Sequence, residues 1–229
     1  MEKNMKTIGI IGGFGPEATA QFYLKLVDAC RKVNHGTQPH IILRNVSVPS
    51  VMEHDALLLG KSIDKFIPFL TRAAKDLEKS GAEFVVMPCN TLHIHEKRIR
   101  SAITVPFVSI VDASVLRLRR MKITRIGLLG SRLTNTHNLF KQQAPDITFV
   151  SVPSVIQIAI DTGLDTFVAL NDSNLLRKAL HKACVFLKQQ DAHDVLVACT
   201  DFNGIIPPVR NIVIYDTLDI LVEATVNML

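Results

Sequence analysis

Two cysteines, Cys89 and Cys199, occupy similar places in the sequence, because each follows a short apolar run and precedes small polar residues. A thiol directly before a helix feels oriented N–H groups and the positive end of the helix dipole, which can lower its pKa from about 8.5 towards neutrality. Two thiols that face each other across a cleft can remove a proton from one face of a carbon and return one to the opposite face. The same pair can carry out a nucleophilic isomerisation, so the residues alone leave the reaction open.

The other two cysteines have a different setting. Cys30 and Cys184 lie within amphipathic helical patterns, where a free cysteine is usually a small buried hydrophobe. Only His93 and His95 lie near either of the first two cysteines, and no Cys-x-x-Cys spacing occurs. We interpret both histidines as residues of a first helical turn, and we expect no metal site.

Short β-rich runs alternate with longer helical segments, which predicts parallel strands with helical crossovers. Several strands are apolar on both faces, as in a sheet that helices cover on both sides. The predicted fold class is therefore α/β. The predicted strands are 7–11, 41–46, 84–87, 107–110, 126–129, 148–152, 195–198 and 212–215. The predicted helices are 16–32, 57–80, 93–101, 113–121, 136–143, 154–160, 174–190 and 216–229.

An internal repeat relates the two halves of the chain. The run Ile-Gly-Ile-Ile-Gly at 8–12 recurs as Ile-Gly-Leu-Leu-Gly at 126–130, and residues 85–91 recur loosely at 195–201. We infer two similar lobes related by a pseudo-twofold axis, the first comprising 1–112 plus 211–229 and the second 113–210. Ligands bind outside the carboxyl ends of strands in open α/β sheets. The two cysteines are therefore expected to face each other in the cleft between the lobes.

A glycine-rich turn follows the first strand. Gly13-x-Gly15-x-x-Ala18 fits the dinucleotide fingerprint, and a nicotinamide-dependent oxidoreductase is one alternative that it raises. Against this, Pro16 removes an N–H where a phosphate needs donors, and the next strand does not end in an acidic residue. We interpret the glycines as a close-approach turn that lines the cleft.

Composition excludes several classes of protein. Of 229 residues, 48% are apolar, which is enough for a large core, and no apolar run is long enough to cross a membrane. The net charge of +5 comes with no recognition motif and few aromatic residues, so nucleic acid is not an expected partner. Lys3 and Lys6 before an apolar stretch imitate a signal peptide, but glycines interrupt its core. We expect a cytoplasmic protein with reduced thiols.

Three blocks carry a resemblance to a known family: residues 12–19 (Gly-Gly-Phe-Gly-Pro-Glu-Ala-Thr), 88–93 (Pro-Cys-Asn-Thr-Leu-His) and 198–201 (Ala-Cys-Thr-Asp). They resemble the signature blocks of the aspartate/glutamate racemase superfamily, and most closely those of its aspartate racemase branch. The resemblance implies an amino-acid racemase that needs neither pyridoxal phosphate nor metal, and a homodimer. It implies that Cys89 and Cys199 are the acid/base thiols. It also implies that the substrate is bound by Asn90, Thr91, Thr134 and Thr200.

The chain departs from that branch at positions expected to meet the substrate. Phe14 replaces a methionine and Asp201 replaces a glutamate. Val51 and Asp161 stand where the branch has an arginine and a lysine for the side-chain carboxylate, and Arg44 or Lys61 are candidate replacements. A negative Asp161 disfavours an acidic side chain and favours a neutral or basic one. We therefore expect a racemase of broad or shifted specificity.

Alternatives remain within and outside this family. A maleate-type cis-trans isomerase uses the same scaffold, whereas a decarboxylase of this type typically keeps only one of the two thiols. A non-catalytic amino-acid-binding protein has the same cleft without needing a matched pair of thiols.

Overall fold

The computed structural model describes residues 5–53, 55, 60 and 63–229, which form two four-stranded sheets. The first sheet contains β1 (Ile8–Gly12), β2 (Ile41–Asn45), β3 (Phe84–Val86) and β4 (Phe107–Val108). The second contains β5 (Arg125–Gly130), β6 (Thr148–Ser151), β7 (Asp194–Ala198) and β8 (Val213–Asp216). The eight predicted strands are all present, with bounds within two residues of the prediction.

Both sheets have the same topology. The strand orders are β2-β1-β3-β4 and β6-β5-β7-β8, and every pairing is parallel. The equivalent glycines Gly9 and Gly127 both face a packed helix, because an added Cβ would lie 3.2 Å from Leu77 Cβ of the helix Ile67–Lys79 in one lobe and 2.7 Å from Leu187 Cδ1 of the helix Asn174–Gln189 in the other. The predicted α/β fold with an internal repeat is confirmed.

Ten α-helices surround the two sheets in the described part of the chain. They are α1 (Pro16–Val33), α2 (Ser50–Glu53), α3 (Ile67–Lys79), α4 (Glu96–Arg100), α5 (Ile110–Arg120), α6 (Arg132–Thr136), α7 (Leu139–Gln143), α8 (Ser154–Leu170), α9 (Asn174–Gln189) and α10 (Thr217–Val226). Short 3-10 helices cover Ile63–Phe66, Thr91–His95 and Thr200–Phe202.

Several predicted helices differ from the observed ones for local reasons. The helix predicted at 113–121 begins earlier, because the Ser109 hydroxyl caps it by accepting from the Asp112 N–H. The one predicted at 136–143 is split by Asn138, which has a φ of 52°. The one predicted at 154–160 continues to Leu170. Of the helix predicted at 57–80, residues 57–59, 61 and 62 lie outside the described residues.

The C-terminal segment 211–229, expected in the first lobe, divides between the two lobes. Strand β8 pairs with β7 in the second sheet, which differs from the expectation. Helix α10 packs against α1 and α5. Strand β8 is the fourth strand of the second sheet, as β4 is of the first, so the repeat itself places it there. The exact lobe boundaries stay a prediction.

The core consists of three apolar clusters. One cluster belongs to the first sheet and α3, and it includes Phe14 and Cys89. A second belongs to the second sheet, α8 and α9, and it includes Cys199. The third joins strands of both sheets to α1, α5 and α10. Because this third cluster is continuous across both sheets, it holds the two cysteine-bearing strand ends in a fixed relation.

Candidate active site

The two cysteines lie just beyond the carboxyl ends of equivalent strands. Cys89 follows β3 and Cys199 follows β7, and only 8% and 6% of their surfaces are exposed. Each thiol precedes a short 3-10 helix, where the sequence had suggested a longer helical segment after Cys89. The dipole of such a short element is correspondingly small.

Burial sets the ionisation of Cys199. It raises the pKa of this thiol well above its ordinary value, and the negative charges of Asp201, Cys89 and Asp216 raise it further. For Cys199, burial therefore outweighs any lowering of the pKa by the helix that follows. The interaction with Cys89 means that the two thiols are close enough for the ionisation of one to oppose that of the other. Cys199 Sγ also lies 3.9 Å from Asp201 Oδ2, to which it donates.

Asn90 connects the first cysteine loop to the C-terminal helix. Its Nδ2 donates to Thr217 Oγ1 over 2.9 Å, and the Thr217 hydroxyl donates to the Val197 carbonyl over 2.8 Å. Asn90 Oδ1 is buried and has no hydrogen-bond partner in the part of the chain that the structure describes. A buried acceptor without a partner is unfavourable, so this oxygen is a natural place for a donor group of a ligand.

His93 fixes the backbone of Cys89. Its Nδ1 lies 2.7 Å from the Cys89 carbonyl oxygen, and its Nε2 accepts from the Ile110 N–H over 3.1 Å. This pair of contacts requires a neutral ring with the proton on Nδ1. Burial also lowers the pKa of His93, which favours the same neutral form. His93 therefore holds the cysteine loop against the start of α5, as a buried structural histidine does.

Three hydroxyl groups join the two lobes beside the first cysteine loop. Thr91 Oγ1 lies 2.9 Å from Ser131 Oγ and 3.3 Å from Thr134 Oγ1, and the last two oxygens are 3.1 Å apart. All three side chains are buried. We call Thr91, Ser131 and Thr134 the hydroxyl cluster. It brings two predicted substrate residues together, with Ser131 as a third member that the sequence did not single out.

The glycine turn after β1 meets the second cysteine loop. Gly15 has a φ of 84°, and an added Cβ there would lie 2.5 Å from Asp201 Oδ1, so only glycine allows this approach. Thr200 and Asp201 line a cavity of about 300 Å³ together with Glu17 and Ala18 of α1. Phe14 lies on the same turn, is 3% exposed and packs edge-on against Phe66.

Asp161 is held by two neighbours on the second lobe. Gln157 Nε2 donates to Asp161 Oδ1 over 2.9 Å, and Arg132 Nε lies 3.6 Å from Asp161 Oδ2. Burial raises the pKa of Asp161, against the lowering effects of Gln157 and Arg132. Gln157 also donates to the Gly130 carbonyl, which ties Asp161 to the second glycine turn. Arg132, missed in the sequence, therefore offsets part of the negative charge predicted for this position.

Of the two candidate replacement cations, only Arg44 lies within the described residues. Val51 itself is 71% exposed. Arg44 is half exposed and lies 3.7 Å from Asp76. Lys61 lies outside the described residues. The structure thus supplies Arg132, rather than Arg44, as the cation next to a predicted side-chain position.

Two contacts of the candidate site join residues that are far apart in the sequence, and neither was predicted. Thr217 meets Asn90 across 127 positions of the chain, and Ser131 reaches Thr91 across 40. The only available hint was the repeat, since Ser131 follows the second copy of the glycine-ending strand.

Within residues 5–53, 55, 60 and 63–229, no three His, Cys, Asp or Glu side chains converge as metal ligands. None of the helices in those same residues is long and apolar enough to span a bilayer.

Comparison with known proteins gives the family. Residues 11–225 match the model of the Asp/Glu/hydantoin racemase family, and the chain belongs to this family. The chain is 25% identical, over 96% of both sequences, to the broad specificity amino-acid racemase RacX of Bacillus subtilis (strain 168). Among solved structures, it resembles the Picrophilus torridus aspartate racemase, with a TM-score of 0.79, 22% identity and coverage of 97% of this chain and 93% of that one.

A second solved structure shares the fold. It is PH1733, an aspartate racemase homologue from Pyrococcus horikoshii OT3, with a TM-score of 0.78, 21% identity and coverage of 97% and 98% of the two chains. The resemblance to the aspartate/glutamate racemase superfamily that residues 12–19, 88–93 and 198–201 predicted is confirmed by the family match.

Proposed function

We propose that the protein is a cofactor-independent amino-acid racemase in which Cys89 and Cys199 exchange protons with the α-carbon of the substrate. The observation that carries the proposal is the pair of buried thiols, one beyond each sheet, whose ionisations oppose each other. Membership of the racemase family supports it.

The reaction needs one thiolate and one thiol. The thiolate takes the α-proton, and the electron pair of the broken C–H bond passes into the carboxylate. The other thiol then gives its proton to the opposite face of the carbon, which forms the new C–H bond with inverted configuration. The two sulfur atoms have thereby exchanged protonation states. The raised pKa of Cys199 keeps it as the thiol in the resting enzyme, which suits it to be the acid for one enantiomer.

The polar groups next to the thiols suit the two charged ends of an amino acid. The hydroxyl cluster supplies O–H donors that can turn towards a carboxylate, where charge builds up in the transition state. Asn90 Oδ1 is a buried acceptor that matches an ammonium group. Water is largely excluded, since both thiols are less than a tenth exposed, and this strengthens each of these contacts.

At positions 51 and 161, where the aspartate racemase branch has an arginine and a lysine, this chain has no cation. Asp161 and Arg132 form a nearly balanced pair, and Val51 replaces the arginine of the aspartate racemase branch. This supports a broad specificity that includes neutral or basic side chains rather than strict preference for aspartate. The similarity to RacX, which is described as a broad specificity amino-acid racemase, supports the same proposal.

The test is solvent deuterium exchange at the α-carbon, followed by NMR over a panel of D- and L-amino acids without added cofactor. We expect exchange with inversion in the wild type and its loss in Cys89→Ala and in Cys199→Ala. Cys30→Ala is the matched control, because that cysteine is buried within α1 and away from the site. Absence of exchange for every amino acid, with folded protein and reduced thiols, would overturn the proposal in favour of the isomerase or the binding protein.

The proposed specificity has its own test. Asp161→Lys changes the Asp161–Arg132 pair into two cations, which should favour an acidic side chain. We expect the ratio of kcat/KM for aspartate to that for a neutral amino acid to rise at least tenfold. An unchanged substrate profile would contradict the placement of Asp161 next to the substrate side chain.

A further inference from the structure

A second, larger cavity is lined by residues of α1, α5, α9 and α10 and of the segment 202–216. Its volume is about 670 Å³, within the range of small-molecule sites in proteins. None of the nine residues predicted to act on or bind the substrate lines it. One wall is apolar and consists of Phe202, Ile206, Pro207, Val209, Ile212 and Ile214.

Two cations and three carboxylates line this cavity, which leaves one negative charge in excess. Lys25 pairs with Asp219 at 2.5 Å, and Arg117 pairs with Glu223 at 3.1 Å. The fifth charged residue, Asp216, forms no ion pair within 4 Å among the described residues. A ligand with an apolar body and a single positive charge therefore complements both the wall and the charge balance.

Asp216 has few groups to compensate its charge. It caps α10 by accepting from the Leu218 N–H over 2.8 Å, and the Asn203 side chain also bonds to it. Burial raises its pKa to about 6, with Asp219 adding to the rise and Lys25 opposing it. At pH 7.5 the carboxylate is thus ionised although it is desolvated. An ammonium group in the cavity would offset the unfavourable free energy of this desolvated charge.

The cavity is also joined to both cysteine loops. Asp216 precedes Thr217, whose hydroxyl accepts from Asn90 and donates to the Val197 carbonyl two residues before Cys199. Asn203, which lines the cavity, ends the loop that begins at Cys199. A ligand bound to Asp216 and Asn203 would act on the same short segments that position the thiols.

We propose that this cavity is an effector site for small organic ammonium compounds with an apolar body. Binding there changes the rate of proton exchange at the cysteines. The effect on rate rests on the proposed racemase function, whereas binding itself does not.

Calorimetric titration at pH 7.5 tests binding without turnover. The probe is 4-phenylbutylamine, and 4-phenylbutanol is its neutral counterpart. We expect the amine to bind the wild type at least tenfold more tightly than the alcohol, and Asp216→Asn to remove that preference. Asparagine is also a favourable N-cap, so α10 keeps its cap. Asp76→Asn, which changes the same charge on α3 of the first lobe, should bind like the wild type.

Three results would overturn the proposal. The first is the absence of binding at amine concentrations of about 10 mM. The second is equal affinity of the wild type for the amine and the alcohol. The third is equal affinity of the wild type and Asp216→Asn for the amine. For the effect on rate, the amine should change kcat in the wild type at the concentrations at which it binds. A rise in KM alone, with kcat constant, would mean that the amine occupies the substrate site and would refute the effector role. If binding is seen but no amino acid is racemised, the proposed function fails and the binding site stands.

Discussion

The hydroxyl of Thr217 is the structural link between Asn90 and the second cysteine loop, and its removal makes a defined prediction. Thr217 is fully buried, accepts from Asn90 Nδ2 and donates to the Val197 carbonyl. Valine has nearly the same shape, so Thr217→Val removes both hydrogen bonds without opening a cavity. Asn90 would then be left with neither end of its amide bonded, because its Oδ1 already has no partner in the described residues.

The expected loss of stability follows from these two partners. A buried donor or acceptor left unsatisfied costs about 1–3 kcal/mol. Thr217→Val leaves two such groups, Asn90 Nδ2 and the Val197 carbonyl, and relaxation partly relieves one of them. We therefore expect this variant to lower the free energy of unfolding by about 3 kcal/mol. For a chain of this size, that corresponds to a fall in Tm of roughly 6–12 °C. Thr217→Ser keeps the hydroxyl and loses one methyl group, which should cost only about 1 kcal/mol.

Activity separates the positioning role of Thr217 from a merely structural one. With Asn90 no longer fixed, we expect kcat for α-proton exchange to fall on the order of tenfold in Thr217→Val, equivalent to about 1.4 kcal/mol of barrier. Thr217→Ser should keep kcat within a factor of about two, although it too is less stable. Both kcat values are measured by NMR exchange at a temperature about 20 °C lower than the Tm of the less stable variant.

Two outcomes would refute this reasoning. If Thr217→Val retains wild-type kcat, the orientation of Asn90 does not matter for proton exchange. If Thr217→Ser loses as much activity as Thr217→Val, the methyl group rather than the hydroxyl is responsible.

Three further variants test other parts of the structure. Gly127→Ala places a Cβ 2.7 Å from Leu187 Cδ1, so we expect a loss of about 1–3 kcal/mol by urea unfolding, and an unchanged midpoint would contradict the close packing. Burial raises the pKa of Asp216 from 3.8 to about 6, so its contribution to stability is present below about pH 4 and is lost as the pH rises through 6. The free energy of unfolding of Asp216→Asn relative to that of the wild type should therefore rise by roughly 3 kcal/mol between pH 4 and pH 7.5. A relative stability that does not change with pH would refute the raised pKa. His93→Phe removes the hydrogen bonds of the ring to the Cys89 carbonyl and from the Ile110 N–H, and it should lower kcat without shifting either limb of the pH–rate profile; loss of a limb would instead assign His93 a catalytic proton.

The strands were predictable because their signal is local. Each is a short apolar run bounded by glycine, proline or polar residues, and the repeat gave the second sheet the topology of the first. Helix ends were harder to predict when a contact elsewhere decided them. Helix α8 continues past Gly163 because that glycine lets Leu176 of α9 approach, since an added Cβ would lie 2.6 Å from Leu176 Cα. Read alone, Asp161-Thr162-Gly163 resembles the end of a helix.

The candidate site shows the same division between local and distant signals. Cys89 and Cys199 could be predicted as a pair because they end matching segments of the repeat. The partners of the adjacent residues were not, since Thr217 reaches Asn90 from the far end of the chain. The sequence shows the carboxylate of Asp161 but not its neighbour Arg132, which is 29 positions away and pairs with Asp161 only in the folded protein.

The repeat makes the two thiols equivalent in position, whereas the residues after each thiol make them different in chemistry. Cys199 is followed by a carboxylate, Asp201, whose charge adds to burial in keeping the thiol protonated. Cys89 is followed by Asn90, a neutral amide, and its carbonyl is held by the neutral ring of His93. Under the proposed mechanism, a fully symmetric pair would have no preferred resting state, but this pair rests with Cys199 as the acid. For the enantiomer whose α-hydrogen faces away from Cys199, the acid is therefore already protonated, whereas the other enantiomer first requires a proton to leave Cys199.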